Sequence, residues 1–338
     1  MPKEHTEIAI VGGGPAGLAT AYALEQAGHS VVVLEQGPIA AHVSQFPTFM
    51  KFFSTPDLLE LGGFPLITTH EKPSRQEYLN YLRRFVLEKK LDVRTGKRVD
   101  GLEGEKGNFR LFGEDRCGEA FELGAAIVVL ATGAFASPHL LGIPGETLPK
   151  VSHYYTELHP YFGSKVLIIG GRNSAAETAL ELWRGGVDVT ICHRREDFGS
   201  LKYWVRPDIE NRVANGEVKA YMSACVLEVK PGSVLLQAEG EEPKEIENDF
   251  VIALTGHGPD PEFLSKFGVQ TRPDTGRPRF NPDTLETERP GLYMVGVMLQ
   301  GDVSGEIFIE NSRTHGDQIC DHLVGSSNGN ANGPIEKA

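Results

Sequence analysis

Residues 7–37 read EIAIVGGGPAGLATAYALEQAGHSVVVLEQG: an apolar run, a glycine turn, an Ala-rich helical stretch, a second apolar run and an acidic residue. That succession is a complete βαβ nucleotide-binding unit. Gly12, Gly14 and Gly17 set the G-x-G-x-x-G spacing. The first allows the tight turn, the second lets the backbone approach a pyrophosphate, and the third lets helix pack on strand. Glu35, 18 residues beyond Gly17, stands where a carboxylate accepts hydrogen bonds from a ribose diol.

Residues 165–195, KVLIIGGRNSAAETALELWRGGVDVTICHRR, repeat the pattern. Gly170 and Ala175 hold the outer motif positions, with Gly171 and Asn173 between them. Ser174 opens a helical stretch whose N-terminal amides suit phosphate. The second strand ends in His193, Arg194 and Arg195 instead of an acid. A carboxylate there prefers a free 2′-hydroxyl and guanidinium groups pair with a 2′-phosphate, so this half is built for NADP(H). Arg172 replaces the middle glycine and lies near the pyrophosphate path, where it either pairs with phosphate or hinders entry.

The echo continues downstream. LGAAIVVLATG at 123–133 and ENDFVIALTG at 247–256 are buried-strand runs ending in Thr-Gly, at Thr132-Gly133 and Thr255-Gly256, and each is the return strand of a nucleotide-binding domain. Short alternating segments around Phe109–Phe112, Ala120–Leu123 and Val226–Leu236 suggest small β-meanders. ERPGLYMVGV and then GEIFIENSRTHGDQICDHLV, a strand and a final helix beginning near Glu306 to Phe308, return to the first domain. The expectation is an α/β protein of two Rossmann-like dinucleotide-binding domains, of the three-layer ββα type, one inserted into the other. The parts are 1–155, the insert 156–282, the return 283–325, and a Gly/Asn-rich tail 326–338 without apolar period, expected to be disordered. The linkers fall near Ser152 to Phe162 and Asn281 to Thr284.

Charge excludes several partner classes. Lys and Arg total 33 against 46 Asp and Glu, a net charge of −13, which repels phosphate backbones and anionic lipid. Nucleic acid and membrane are therefore not expected. No apolar stretch approaches the ~18 residues of a span, the start has no signal-peptide core, and the expected compartment is cytoplasmic. Cys117, Cys192, Cys225 and Cys320 lie far apart, with no Cys-x-x-Cys. They offer neither a zinc site nor an internal dithiol and suit a reducing compartment. No metal is expected.

At this point the chain resembles the two-dinucleotide-binding-domain flavoproteins of the low-molecular-weight thioredoxin reductase type. Within them it is most similar to the bacilliredoxin reductase family, also called bacillithiol disulfide reductases. The stretches FFSTPDLLELGGFP, EKPSRQEYLNYLR, KVSHYYTELHPYFGSKVLIIGGRNSAAETALEL, NDFVIALTGHGPD, GRPRFNPDTLET and GEIFIENSRTHG carry this similarity across nearly the whole chain. The resemblance implies FAD in the split domain, on Gly12, Gly14, Pro15, Ala16, Gly17, Glu35, Gln36, Phe52, Thr132, Gly133, Gly296, Ile307 and Phe308. It implies NADPH in the insert, on Gly170 to Ala175, His193 to Arg195, Thr255 and Gly256. Three departures stand out. Thioredoxin reductases carry a Cys-x-x-Cys that is missing here, and Bacillus-type members of the subgroup have a cysteine where this chain has Ala16. The flavoprotein Gly-Asp is Gly296-Val297, a loss the subgroup shares, with Asp302 a nearby substitute.

The mechanism these parts imply is hydride transfer from NADPH to FAD, then electrons to a bacilliredoxin or a low-molecular-weight bacillithiol-type disulfide, in a homodimer. Two other readings stay open: an NADPH:ferredoxin or flavodoxin oxidoreductase on the same fold, and a non-catalytic flavin redox sensor. No catalytic residue is assigned. His153, His159, His257 and His315 could protonate a leaving thiolate or serve as linker and capping residues. Tyr203 and Trp204 could contact nicotinamide, meet a partner or simply pack. Phe52 and Phe53 are placed beside the flavin or in the core, and Cys192, Cys225 and Cys320 read as small hydrophobes. The final helix is expected to aim its N-terminal amides at the flavin.

Overall fold

In the computed structural model, which describes residues 4–135, 137–303 and 305–327, the chain divides into two compact units. One comprises residues up to Ser137 together with those from His257 onward, and the other is Pro138–Gly256. The Ser152 to Phe162 stretch, read as a linker, holds part of the strand Val151–Ser152 and the short helical turn His159–Tyr161. Asn281 to Thr284 is a turn closed by Thr284 N–H on Asn281 O at 3.3 Å.

The first unit is built on a seven-stranded sheet. Val93–Thr95, Val31–Glu35, His5–Val11 and Ala120–Leu130 run side by side in parallel, and Leu292–Met294 adds to Ala120–Leu130. The central stretches of these strands are near-continuous apolar runs, as expected where parallel strands are covered on both faces, whereas the edge strand Val93–Thr95 is only half-buried. Residues Ile8 to Val11 and Val31 to Glu35 are all buried. The meander read around Phe109 and Ala120 is joined to the parallel strands through one shared strand. The 11-residue strand Ala120–Leu130 pairs antiparallel with Asn108–Asp115 through its first half and parallel with His5–Val11 from Gly124 onward.

The inserted unit shows its three layers through alternation along one strand. In Lys165–Ile169, Val166 and Ile168 join the cluster formed with Ala175, Ala179 and Leu182 of the helix Asn173–Arg184. Leu167 and Ile169 join the opposite cluster, with Val226, Val234 and Leu236 of a three-stranded antiparallel sheet. A period of two presents successive side chains to opposite faces. One face therefore takes the helix and the other takes the meander.

The C-terminal helix differs from the single element read near Glu306. A one-turn helix, Ile309–Ser312, is followed by a separate helix, His315–Ser327. Arg313 at the break donates to the carbonyls of Asp57 (2.6 Å) and Glu60 (2.9 Å), which fixes the chain's change of direction. The helix thus runs two residues past 325, and positions 328–338 of the Gly/Asn-rich tail lie outside the described residues. No described helix is long and apolar enough to cross a membrane.

Candidate functional site

In the first unit the glycine turn is held by its own acid. Glu35, buried at the end of its strand, accepts from Gly13 N–H at 2.7 Å and from Gly37 N–H at 2.8 Å, one bond to each carboxylate oxygen. Gly12 adopts φ +116°, and a Cβ there would run into the Ala131 carbonyl, as one on Gly17 would run into the Gly12 carbonyl. These are close approaches that only glycine makes without strain. A Cβ on Gly14 would meet nothing within 4 Å. The space ahead of the Pro15–Gln26 helix is therefore open. That helix starts with Pro15, has no side-chain cap, and carries no acidic residue in its first turn, so its first amides and positive end are left to a ligand anion.

The fold brings Ala131 to Gly133 and Gly296 to Met298 against this turn. Val295 N–H donates to Leu130 O at 2.9 Å, Thr132 Oγ1 reaches Met298 Sδ at 3.8 Å, and a Cβ on Gly296 would stand 2.9 Å from Ala16 Cβ. His315 accepts the Gly296 N–H on Nδ1 at 3.1 Å, and burial pushes its pKa down to about 4. It is a neutral acceptor that holds backbone.

Other positions read from sequence fall elsewhere. Phe52 is buried edge-on against Tyr78, ring centroids 4.8 Å apart, and Phe53 is exposed beneath Lys72. Ile307 packs against the core, whereas Phe308 is half exposed, its N–H bound to Asn311 Oδ1 at 2.8 Å. The one-turn helix after it is too short to carry the dipole expected of a long final helix. Asp302 lies against the turn at Gly276, where a Cβ would meet its Oδ2 at 2.6 Å.

Two features here were not legible in sequence. A cleft of about 580 Å³ opens beside Gln36, lined among others by Ile39, Leu79, Arg83, Thr95 and Arg116. His42, on the short helix Ala41–Ser44, would stand 3.3 Å from a Cβ on Gly133, and its ring centroid lies 6.1 Å from that of Phe135. Burial lowers its pKa, opposed by the charge of Glu35. Phe135 in turn stacks on His257 at 4.5 Å.

The inserted unit repeats the architecture. Gly170 has φ +143°, and a Cβ there would crowd the Leu254 carbonyl (2.6 Å) just as one on Gly12 would crowd Ala131. The helix begins at Asn173, with Arg172 as its extended first residue, exposed and without strain (φ −100°). Again there is neither side-chain cap nor first-turn acid. Asn173 turns its side chain outward, accepting Lys202 N–H at 2.8 Å. Ser174 is exposed, and Ala175 is buried at the helix–strand contact.

His193 packs under Gly171, is 8% exposed, and its Nε2 is without a hydrogen-bond partner. Burial lowers its pKa first, then the charges of Arg195 and Arg194. Both arginines are exposed. Thr255 Oγ1 donates to His139 O at 2.6 Å, and Gly256 follows at φ +105°. His153 pairs with Glu146 at 3.4 Å, and His159 lies in the helical turn.

All four cysteines are free. Cys192 is buried, with burial pushing its pKa up to about 12. Cys225 is not the buried small residue read from sequence. It alternates outward on Ala224–Val229 and is exposed, because its neighbours Ala224 and Val226 take the core face.

The family model described as pyridine nucleotide-disulphide oxidoreductase matches residues 9–296. Bacilliredoxin reductase Bdr of Bacillus subtilis (strain 168) is 38% identical over 320 residues, covering 94% of this chain and 98% of that protein. The solved structure of bacillithiol disulfide reductase Bdr from Bacillus cereus superposes with a TM-score of 0.93 at 38% identity, covering 96% of this chain and 100% of that one. More distant is a ferredoxin–NADP reductase of Ignicoccus hospitalis, 28% identical over 295 residues, 85% of this chain and 88% of that protein.

Proposed function

The chain belongs to the bacilliredoxin reductase branch of the pyridine nucleotide-disulphide oxidoreductase family, and from that premise we propose an FAD-dependent enzyme that draws electrons from NADPH and reduces a bacilliredoxin or bacillithiol-type disulfide. One observation carries this reading. Two equivalent uncapped glycine turns end their second strands in opposite charge, a buried Glu35 in one and His193-Arg194-Arg195 in the other. A carboxylate takes a ribose diol, and paired guanidinium groups take a 2′-phosphate.

When bound, the two cofactors supply the redox chemistry, a hydride passing from nicotinamide to flavin and two electrons with two protons turning a disulfide into two thiols. The protein's own part is positional. The open amides of the Pro15–Gln26 helix receive the flavin diphosphate, and Glu35 holds that turn while facing the ribose. His315 keeps Gly296 N–H in place as a neutral acceptor. In the inserted unit, the amides following Gly170 and the two arginines receive the nicotinamide nucleotide. The free cysteines suit a reducing cytoplasm. A homodimer is the assembly we expect from the prevalence of two-fold symmetry, checked by light scattering.

Anaerobic titration tests the reading. A yellow protein whose flavin band bleaches promptly with NADPH and poorly with NADH supports both cofactors. Bound flavin that NADPH leaves oxidised overturns the assignment of the inserted unit. A second reading is favoured by the missing Cys-x-x-Cys: electron transfer from flavin to a ferredoxin or flavodoxin needs no protein dithiol. Fast ferredoxin-coupled reduction of cytochrome c, without turnover of a bacillithiol disulfide, would select it.

A further inference from the structure

The inserted unit carries an aromatic pair that its glycine motif does not require. Tyr203 and Trp204 lie edge to face, ring centroids 4.7 Å apart, and are 84% and 40% exposed. Their segment is pinned to the start of the Asn173–Arg184 helix. Gly199 N–H donates to Gly171 O at 3.2 Å, Lys202 N–H to Asn173 Oδ1 at 2.8 Å, and Lys202 Nζ to Glu177, one turn along, at 2.7 Å. Arg206 closes the loop from the other side on Gly199 O, at 2.7 Å. The Lys202 ammonium stands 5.7 Å over the Trp204 ring. The rings are therefore held beside the uncapped helix end, on the loop that begins with Arg194 and Arg195. A second feature of that loop points to a ligand: the His193 imidazole is over nine-tenths buried against Gly171, with Nε2 unpartnered.

We propose that Trp204, with Tyr203 at right angles to it, is the stacking wall for the adenine of the nucleotide bound by this unit. The inference rests on the NADPH reading above. Its chemistry is that of any base on an aromatic face, worth enough to matter and indifferent to sequence. The adenine half is specified by connectivity. The 2′-phosphate and the adenine share one ribose, and the residues suited to that phosphate precede Trp204 on the same loop by nine and ten positions. Lys202, engaged by Glu177, sets the ring's height and leaves the phosphate to the arginines.

The test uses the flavin-loaded protein and 2′,5′-ADP, which carries the adenine and 2′-phosphate but no nicotinamide. The chain has two tryptophans, Trp183 and Trp204, and Trp183 lies under Arg212 at 4.6 Å. Red-edge tryptophan emission should be quenched by 2′,5′-ADP in the wild type and not in Trp204→Phe, which keeps a stacking face. Trp204→Ala should weaken 2′,5′-ADP binding roughly tenfold by calorimetry, and Tyr203→Ala, at a largely exposed position, should weaken it less while leaving the fold intact by circular dichroism. Quenching that persists in Trp204→Phe, or equal affinity in Trp204→Ala and wild type, overturns the wall and leaves the 2′-phosphate reading standing. Quenching of Trp204 by ADP-ribose but not by 2′,5′-ADP supports the wall and removes that reading. Quenching by nicotinamide mononucleotide alone overturns the adenine assignment.

Discussion

A single carboxylate does the work of two contacts at the first glycine turn. Both Glu35 oxygens accept a backbone N–H, one from Gly13 in the turn and one from Gly37 just past the end of its own strand. Glu35→Gln keeps the volume but sets an amide donor against one of those donors. Leaving a buried N–H unpaired costs about 1–3 kcal/mol. The expected result is a lower melting temperature together with a lower ratio of flavin to protein absorbance after gel filtration. A variant matching wild type in both would remove Glu35 from the site. His315 gives a pH dependence at the same scale. Its folded pKa, about 4, lies below its ordinary 6.5, so as pH falls the unfolded chain takes the proton first. Its contribution is complete above about pH 6.5 and is lost on descent toward pH 4, on the order of 3 kcal/mol. His193 and His42, also lowered by burial, act in the same direction. Urea midpoints at about pH 7 and about pH 5 should separate in wild type and draw together, in part, in His315→Gln. An unchanged separation would show that this histidine is not buried neutral.

At the scale of elements, the helices sort by how their first amides are satisfied. Ser74 and Glu77 form a reciprocal cap on the Arg75–Lys89 helix, with Ser74 Oγ accepting Glu77 N–H at 3.2 Å and Glu77 accepting Ser74 N–H at 2.8 Å. Asp260 caps the Pro261–Lys266 helix in one direction only, its Oδ1 accepting the Glu262 and Phe263 N–H groups. The two helices after the glycine turns have no such cap. Ser74→Ala should therefore cost about 1 kcal/mol of stability, whereas Ser174→Ala, an exposed residue already inside its helix, should leave the melting temperature of the nucleotide-free protein unchanged. Equal losses in the two would contradict this sorting. The βαβ units were legible because their signal is local: apolar runs, glycine spacing and a terminal residue all lie within about thirty positions. The break at Arg313 was not. It is set by carbonyls of Asp57 and Glu60, some 250 positions away in sequence, and no periodicity within GEIFIENSRTHG encodes it. His42, Arg83 and Arg116 were missed for the same reason, since each sits at its place through tertiary packing and belongs to no motif.

For the molecule as a whole, the question is how electrons leave a flavin in a chain without a neighbouring dithiol. The sequence holds four cysteines and no close pair, and all four are free. Cys192 is sealed in the inserted unit's core with its thiol raised to about 12, and Cys320 is half-buried and also raised, first by burial and then by Asp317 and Asp321. A thiolate is the reactive form, so neither is poised for exchange. Cys117 and Cys225 are exposed. Gentle alkylation should therefore label Cys117 and Cys225 and spare Cys192, as read by mass spectrometry. A variant carrying Cys117→Ser, Cys192→Ala, Cys225→Ser and Cys320→Ala should still have its flavin bleached by NADPH, because that step involves no thiol. Disulfide turnover is then the informative quantity. If it survives in the cysteine-free protein, the acceptor disulfide meets the reduced flavin without a protein thiol between them. If bleaching survives and turnover is lost, a cysteine relays the electrons, and restoring Cys225 or Cys117 singly identifies which of the two accessible thiols does so.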